Sequence, residues 1–361
     1  LMRWNNNMLF TQIEFYMFFL TTLSVIHLLK STILRKMTLL TANFYFYAYF
    51  DYRFLLLLII STVVTFITGK KIQSSKSIWS RKALLFCGLS INLIILICFK
   101  YLNFFIESTK NIFALNDVTI GAINIILPLG ISFYIFRFIS YLIDIHRGNI
   151  KSCQLLDFMI YGTFFPIIAS GPISRATFFI PQLNDFKPSL NNLYQGYRLF
   201  VIGLFLKVFV ADRIAYYVDY FYGNYELFNA FTAWIAVVSY SIQIYCDFAG
   251  YSNMAIGISL MLGLHIEENF NFPYLARNIS DFWRRWHITL TEWIRDYLYI
   301  PLGGSRNGKQ RKYLNLLIVM TLCGLWHGSA WTFILWGFIH GILLVINHCW
   351  KGSTWQSHFT Q

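Results

Sequence analysis

The sequence predicts an all-α, polytopic membrane protein, and three observations carry that expectation. Of its 361 residues, 57% are hydrophobic and only 12% are charged, where a soluble domain carries roughly a quarter charged. Several apolar runs approach or reach the ~20 residues that cross a bilayer core. Those runs are continuously apolar and do not alternate, so they read as helices and not as barrel strands.

The candidate spans follow in order. Phe10–Leu29 opens the series, and Met37–Phe50 and Phe54–Gly69 flank the polar Asp51–Arg53. Ala83–Phe105 and Ile120–Ile145 come next, the latter interrupted by Pro128 and Gly130. Leu155–Gly171 carries Pro166, and Tyr197–Ala211 ends before Asp212. Ala230–Cys246 and Met254–Leu264 are separated by a more polar stretch containing Asp247. Tyr313–Leu325 and Trp331–Trp350 close the series. Several are short, and prolines or glycines break others. Broken helices at membrane depth are tolerated only beside protein or a water-filled cavity. The expectation is therefore a packed body with an internal cavity.

Glu14 precedes the first apolar run and no small-x-small site follows it, which argues against a cleaved signal peptide. Met8-Leu9-Phe10 reads as the start of the ordered protein.

The net charge is +13, and its placement is informative. Lys30, Arg35 and Lys36 follow the first span; Lys70, Lys71, Lys76, Arg81 and Lys82 follow the third; Arg147 and Lys151 follow the fifth. With one crossing per span, these clusters share one side, and Asp51–Arg53 and Glu107–Asp117 fall on the other. The positive-inside rule puts the basic side in the cytoplasm and the N-terminus outside. Basic residues that cap spans form no stripe for nucleic acid. The cysteines, Cys87, Cys98, Cys153, Cys246, Cys323 and Cys349, form no CxxC pair and read as apolar thiols. There is no P-loop, GxGxxG, HExxH or GxSxG, so ATP-driven and zinc-hydrolytic chemistry have no support in the motifs.

Asn278–Tyr299, NISDFWRRWHITLTEWIRDYLY, breaks the apolar pattern. As one helix it would take Ser280 as N-cap and Asp281 in its first turn. Trp283, His287, Leu290, Ile294 and Tyr297 would share one face, and Asp281 and Arg285 would be spaced to pair. Periodicity alone favours an interfacial helix anchored by tryptophans, with His287 a satisfied interfacial residue. The functional reading sends His287 into the protein core beside a substrate path.

Leu325-Trp326-His327-Gly328 places an imidazole in a long apolar stretch, where ionisable side chains are costly and functional by default. Gly324-x-x-x-Gly328 and Gly337-x-x-x-Gly341 bracket His327 and His340, and small residues four apart let helix backbones approach closely. The bland reading of His327 is a structural hydrogen bond, and His340 is nearer its span end. His27, His265 and His348 lie near span ends and read as structural. Asp247, Arg137 with Asp144, and Lys207 with Asp212 read equally well as internal pairs that order the bundle.

Taken together, these blocks resemble the membrane-bound O-acyltransferase family, in particular its alginate O-acetyltransferase-like branch. The resemblance runs from about Met8 to about Asn347. Its blocks are Leu127–Gly148, Phe165–Leu183 with GPISR, Gly203–Ala215, Tyr245–Gly257, Asp281–Arg306 and Gly324–Gly341. The resemblance implies a helical body with an internal tunnel and re-entrant or interfacial helices. It implies catalytic positions at His327, as general base, and at His287, as positioning or polarising partner. Trp283, Arg284, Trp286, Trp326 and Asp247 are the expected substrate-binding residues. No bound cofactor is expected; an acyl thioester such as acetyl-CoA is the donor substrate, reaching the tunnel from the cytoplasm.

The implied partners are an extracytoplasmic polysaccharide acceptor, alginate-like or peptidoglycan, or a periplasmic acetyltransferase relay protein, with the bilayer around the chain and no nucleic acid. The implied location is the bacterial inner membrane. Residues 8–350 are expected to form a single acyltransferase domain followed by a short polar tail, 351–361. Relatives of the branch continue through further C-terminal spans, so the domain is expected to be truncated. They also often carry a second basic residue where Leu206 stands. The rival readings are D-alanyl transfer to teichoic acid, a transporter or polysaccharide export channel with proton-relaying histidines, and a non-catalytic scaffold.

Overall fold

The computed structural model describes residues 8–113 and 125–351, and those residues contain helices and no strand. In chain order the helices are α1 (Ile13–Leu28), α2 (Thr32–Ser74), α3 (Ile78–Leu96), α4 (Leu102–Phe113), α5 (Ile131–Arg147), α6 (Leu155–Thr163), α7 (Ala176–Phe179), α8 (Leu190–Leu204), α9 (Asp212–Gly223), α10 (Ala230–Met261), α11 (Ile279–Arg285), α12 (Ile288–Ile294), α13 (Gly308–His327) and α14 (Trp331–Lys351). Among the described residues, Thr32–Ser74, Ile78–Phe113 and Trp331–Trp350 are helical stretches long and apolar enough to cross a membrane. The span expected from Ile120 begins among undescribed residues, and the tail expected at 351–361 lies outside the described residues apart from the backbone of Lys351, where α14 ends.

Backbone contacts divide the chain into two units, residues 1–70 with 149–268, and residues 71–148 with 269–361. In the first unit, α2 kinks at Asp51, whose extended backbone (φ −163°) joins the two spans expected there. Arg53 donates from its backbone N–H and its guanidinium to the Asp51 carboxylate at the break. The core of this unit is aromatic. Phe46 lies 5.3 Å from Phe165 and 6.3 Å from Phe15, and Phe18 lies 5.2 Å from Phe165. Buried Asn43 stitches this cluster to the end of α6, donating to Thr163 and accepting from the Phe165 N–H.

Two of the basic residues read above as orientation signals also tie the unit together. Lys36 forms a buried ion pair with Asp157 at 2.6 Å, and Arg35 donates to the Phe186 carbonyl.

α8 and α10 cross at two glycine pairs, where a Cβ on Gly203 would meet the Gly250 carbonyl at 2.5 Å and one on Gly196 the Gly257 carbonyl at 2.5 Å. The two spans expected on either side of Asp247 are one continuous helix, α10. Asp247 does not separate spans, because Lys207 supplies its counter-charge at 2.5 Å while also pairing with Asp212 at 2.7 Å. That pairing lets a carboxylate sit in the middle of a helix.

In the second unit, α5 starts after Gly130 in a left-handed conformation (φ 64°) and buries Tyr134, Phe138, Tyr141 and Asp144. Its Phe136 ring stacks on Trp293 of α12 at 3.8 Å, and the Trp293 indole donates to the Phe136 carbonyl. The Tyr297 hydroxyl donates to Asp144 at 2.6 Å. Asn315 of α13 donates to the Leu302 and Gly304 carbonyls, fixing the Pro301–Gly304 turn to that helix.

Candidate active site

The expected single helix over Asn278–Tyr299 is broken at the residue that matters. α11 ends at Arg285, Trp286 is extended, and His287 adopts a left-handed backbone (φ 44°, ψ 55°) before α12 begins. A non-glycine residue there is strained by about 1–3 kcal/mol and persists only where its surroundings over-determine it. Two backbone bonds do so: the Ile288 N–H donates to the Asn269 carbonyl, and the Asn271 N–H to the Arg285 carbonyl. The turn is thereby laced to the loop that precedes α11.

The N-cap is Asn278, which accepts from the Asp281 N–H. Ser280, the expected cap, instead accepts a hydrogen bond from Asn347 of α14. The Asp281–Arg285 pair forms at 3.2 Å as its spacing predicts. The Arg277 N–H, together with that guanidinium, holds the Asp281 carboxyl below the ordinary carboxylate range.

His287 is fully buried, which removes it from the interfacial role that periodicity favoured. Asn269 defines its tautomer. The Asn269 Oδ1 accepts from the Thr289 N–H at 3.3 Å and the Thr289 hydroxyl at 2.8 Å. A backbone N–H can only donate, so the side-chain atom it meets is the amide oxygen. The His287 Nδ1, 3.0 Å from the same oxygen, must then be the protonated nitrogen. In the neutral ring Nε2 carries the lone pair.

His327 is the last residue of α13 and is only partly buried. Its ring centroid lies 6.4 Å from that of His287. That spacing is too long for a direct hydrogen bond between the rings. Trp326 borders both imidazoles, at 6.2 Å from His287 and 5.0 Å from His327. Phe133 and Phe136 pack against Trp326 at 5.4 and 5.1 Å. On the other side, Trp336 of α14 meets His327 edge-on at 5.3 Å, followed by His340 at 4.7 Å from Trp336 and Trp283 at 5.2 Å from His340.

The expected substrate-binding residues divide. Trp326 lies beside both histidines. Trp283 and Arg284 line a cavity of about 430 Å³ together with Lys312, Cys323, Leu344 and His348. Trp286 packs against Phe270 and Phe282 at 5.1 and 5.6 Å and supports the turn. Asp247 belongs to the first unit, ion-paired with Lys207.

Three residues escaped the sequence reading. Asn269 gave no signal, because an asparagine in a loop distant in sequence shows nothing of its acceptor role. Trp336 resembled any other span tryptophan. Lys100 did give one: it is a lone cation within the apolar run Ala83–Phe105, and its ammonium reaches the Trp326 carbonyl.

The arrangement can move a proton. A partly accessible imidazole faces a buried one of fixed tautomer, within an aromatic wall that lowers the local dielectric. Among the described residues no group of histidine, cysteine and carboxylate side chains could hold a metal ion.

Comparison with known proteins identifies the family. The family model described as membrane-bound O-acyltransferase matches residues 138–361, which include both histidines. The chain is 39% identical to the probable alginate O-acetylase AlgI of Azotobacter vinelandii, over 94% of this chain and 68% of that one. It is 36% identical to the peptidoglycan O-acetyltransferase of Helicobacter pylori, over 92% of this chain and 68% of that one. The teichoic acid D-alanyltransferase of Streptococcus thermophilus is 32% identical over 62% of this chain and 57% of its own length. A family model that matches more than half of the chain, and relatives 36–39% identical over more than nine-tenths of it, show that this chain belongs to the membrane-bound O-acyltransferase family.

Proposed function

We propose that the protein transfers an acetyl group from a cytoplasmic thioester, acetyl-CoA or a similar donor, to a hydroxyl of an extracytoplasmic polysaccharide, directly or through a periplasmic relay acetyltransferase. The observation that carries this reading is the pairing of His327 with a buried, tautomer-fixed His287. The names of the alginate and peptidoglycan relatives support acetyl as the group and a polysaccharide as the acceptor.

In this reading an imidazole nitrogen of His327 takes the acceptor hydroxyl proton as the oxygen attacks the thioester carbonyl carbon. The carbonyl π pair moves to its oxygen. Collapse of the tetrahedral intermediate breaks the C–S bond, and the departing thiolate takes the proton from the imidazolium. An ester and a free thiol result. His287 presents Nε2 as an acceptor, so it orients a hydroxyl or amide hydrogen and does not donate to the thioester carbonyl. Trp326 and Trp283 wall the acyl group, Trp286 supports the turn, and Arg284 meets the anionic part of the donor. Asp247, held by Lys207, orders its helix pair.

Residues 8–350 are proposed to make up a single membrane-embedded acyltransferase domain in a bacterial inner membrane, with the basic loops cytoplasmic and the N-terminus outside.

The competing reading is D-alanyl transfer, because a teichoic acid D-alanyltransferase is also similar to this chain, at lower identity and over less of it. Purified protein in vesicles, given acetyl and D-alanyl thioesters in parallel, decides between them. Acetyl thioester is expected to be consumed faster by at least about tenfold. Preferential D-alanyl consumption, or substrate flux across the vesicle with no loss of either thioester, contradicts the proposal.

A further inference from the structure

Lys100 sits within the apolar helical stretch Ile78–Phe113, and the acyl-transfer scheme above does not use it. An ionisable side chain at that depth is costly unless it serves a purpose and has a partner. The local backbone is also unusual: Ile97–Tyr101 is a π-helical turn between α3 and α4. Such bulges are rare in helices and cluster at functional sites. A bulge shifts the register, so that successive residues can both face the same neighbour.

Both Lys100 and Tyr101 face the end of α13. The Lys100 ammonium donates to the Trp326 carbonyl and, at 3.0 Å, to the Ser132 hydroxyl of α5. It also lies 5.5 Å from the centre of the Trp326 ring. The Tyr101 hydroxyl donates to the Leu325 carbonyl at 3.0 Å. Leu325 and Trp326 are the two residues before His327, in the final turn of the helix. Carbonyls in a last helical turn lack intrahelical partners, and a cation there is favoured by the helix dipole. The π turn therefore supplies two donors to two consecutive carbonyls, beside the side chain read as the base.

We infer that Lys100 is a positioning residue for acyl transfer: with Tyr101 it clamps the turn that carries His327 and fixes that imidazole relative to His287. The inference rests on the reading of His327 as the reacting base. Its charge matters as much as its reach, because a charge-assisted bond to a carbonyl is shorter and stronger than a neutral one. The clamp acts chiefly on the reaction step, since both donors of the π turn reach carbonyls of the α13 backbone.

The test uses the full chain in nanodiscs with acetyl-CoA as the probe donor, and variants Lys100→Met, Lys100→Arg and Tyr101→Phe beside His327→Ala. Lys100→Met keeps length and loses both charge and donors. It is expected to lower kcat about 100-fold, the scale set by a 1 Å displacement of a catalytic group, with KM for the thioester within about threefold. Lys100→Arg is expected to recover most of the loss, because it restores a charged donor. Tyr101→Phe deletes one hydroxyl, is the gentlest change to the fold, and is expected to lower kcat about three- to tenfold at unchanged KM. Should Lys100→Met fail to fold, Tyr101→Phe and Lys100→Arg still decide the matter: an unchanged kcat in Tyr101→Phe overturns the clamp. So does a kcat for Lys100→Met within threefold of wild type, or a matched change in kcat and KM. An active His327→Ala protein removes the base assignment itself. An inactive one alongside a fully active Lys100→Met removes only the inference about Lys100.

Discussion

His327→Ala is expected to lower acyl transfer by about 10²–10⁴-fold, the range that general acid–base catalysis contributes, while the protein still accumulates in the membrane. The substitution deletes an imidazole that is only partly buried and ends its helix, so it disturbs the fold less than loss of a fully buried side chain would. Alanine is also the best helix former, and the Leu325 and Trp326 carbonyls keep their donors from the π turn. What is lost is the accessible base. Surface O-acetyl content, measured in cells making the variant at normal level, is expected to fall to background. Unchanged acetylation at equal protein level contradicts the base assignment. Because His287 is deeper and bonded to Asn269, its substitution mixes loss of function with loss of fold, and His327 gives the cleaner readout.

The largest structural effect is expected at Gly337. α13 and α14 cross where Gly324 and Gly337 face one another. A Cβ on Gly337 would collide with the Met320 carbonyl oxygen and lie 2.9 Å from the Gly324 Cα. Both obstacles are backbone, so no side chain can rotate away, and the helices must separate. Gly337→Leu is therefore expected to cost at least the ~1–3 kcal/mol typical of overpacking, or more. The crossing lies next to the site, for Gly324 is in the turn that leads to His327 and Trp336 follows from the facing helix. Detergent-extracted Gly337→Leu protein is expected to show a sharply lowered unfolding temperature and no transfer. Ile339→Ala, on an exposed part of the same helix (47% accessible), is expected to stay within about 0.5 kcal/mol of wild type. Equal unfolding temperatures for Gly337→Leu and wild type would falsify the close crossing.

Much of the fold was legible in the sequence because the bilayer imposes a blunt rule. Continuous apolar runs in a bilayer read as helices, and most of the expected runs are helical in the described residues, three of these stretches being long and apolar enough to cross a membrane. The errors came where a polar residue mimicked a boundary. Asp247 looked like a gap between spans, but its charge is met by Lys207 from another helix, which no local pattern reveals. The Asn278–Tyr299 segment has good helical periodicity, and nothing in RRWHIT demands a left-handed residue. The break at His287 exists because Asn269 and Asn271 bond across it, a tertiary cause. The glycines that bracket the histidines were readable, since small residues four apart in an apolar run mark a close helix crossing. The individual histidines were legible as improbable side chains in apolar surroundings. Their convergence was not, because it depends on how α12 and α13 pack.

If His287 and His327 work as one catalytic unit, a double-variant cycle reveals it. Single-turnover thiol release from acetyl-CoA is measured for the wild type, for each His→Ala single variant and for the double variant in nanodiscs. Groups that act together are strongly non-additive. The double variant is expected to be no slower than the slower single variant, with ester formed in step with thiol released throughout. Losses that multiply, each histidine contributing its full factor independently of the other, would contradict it.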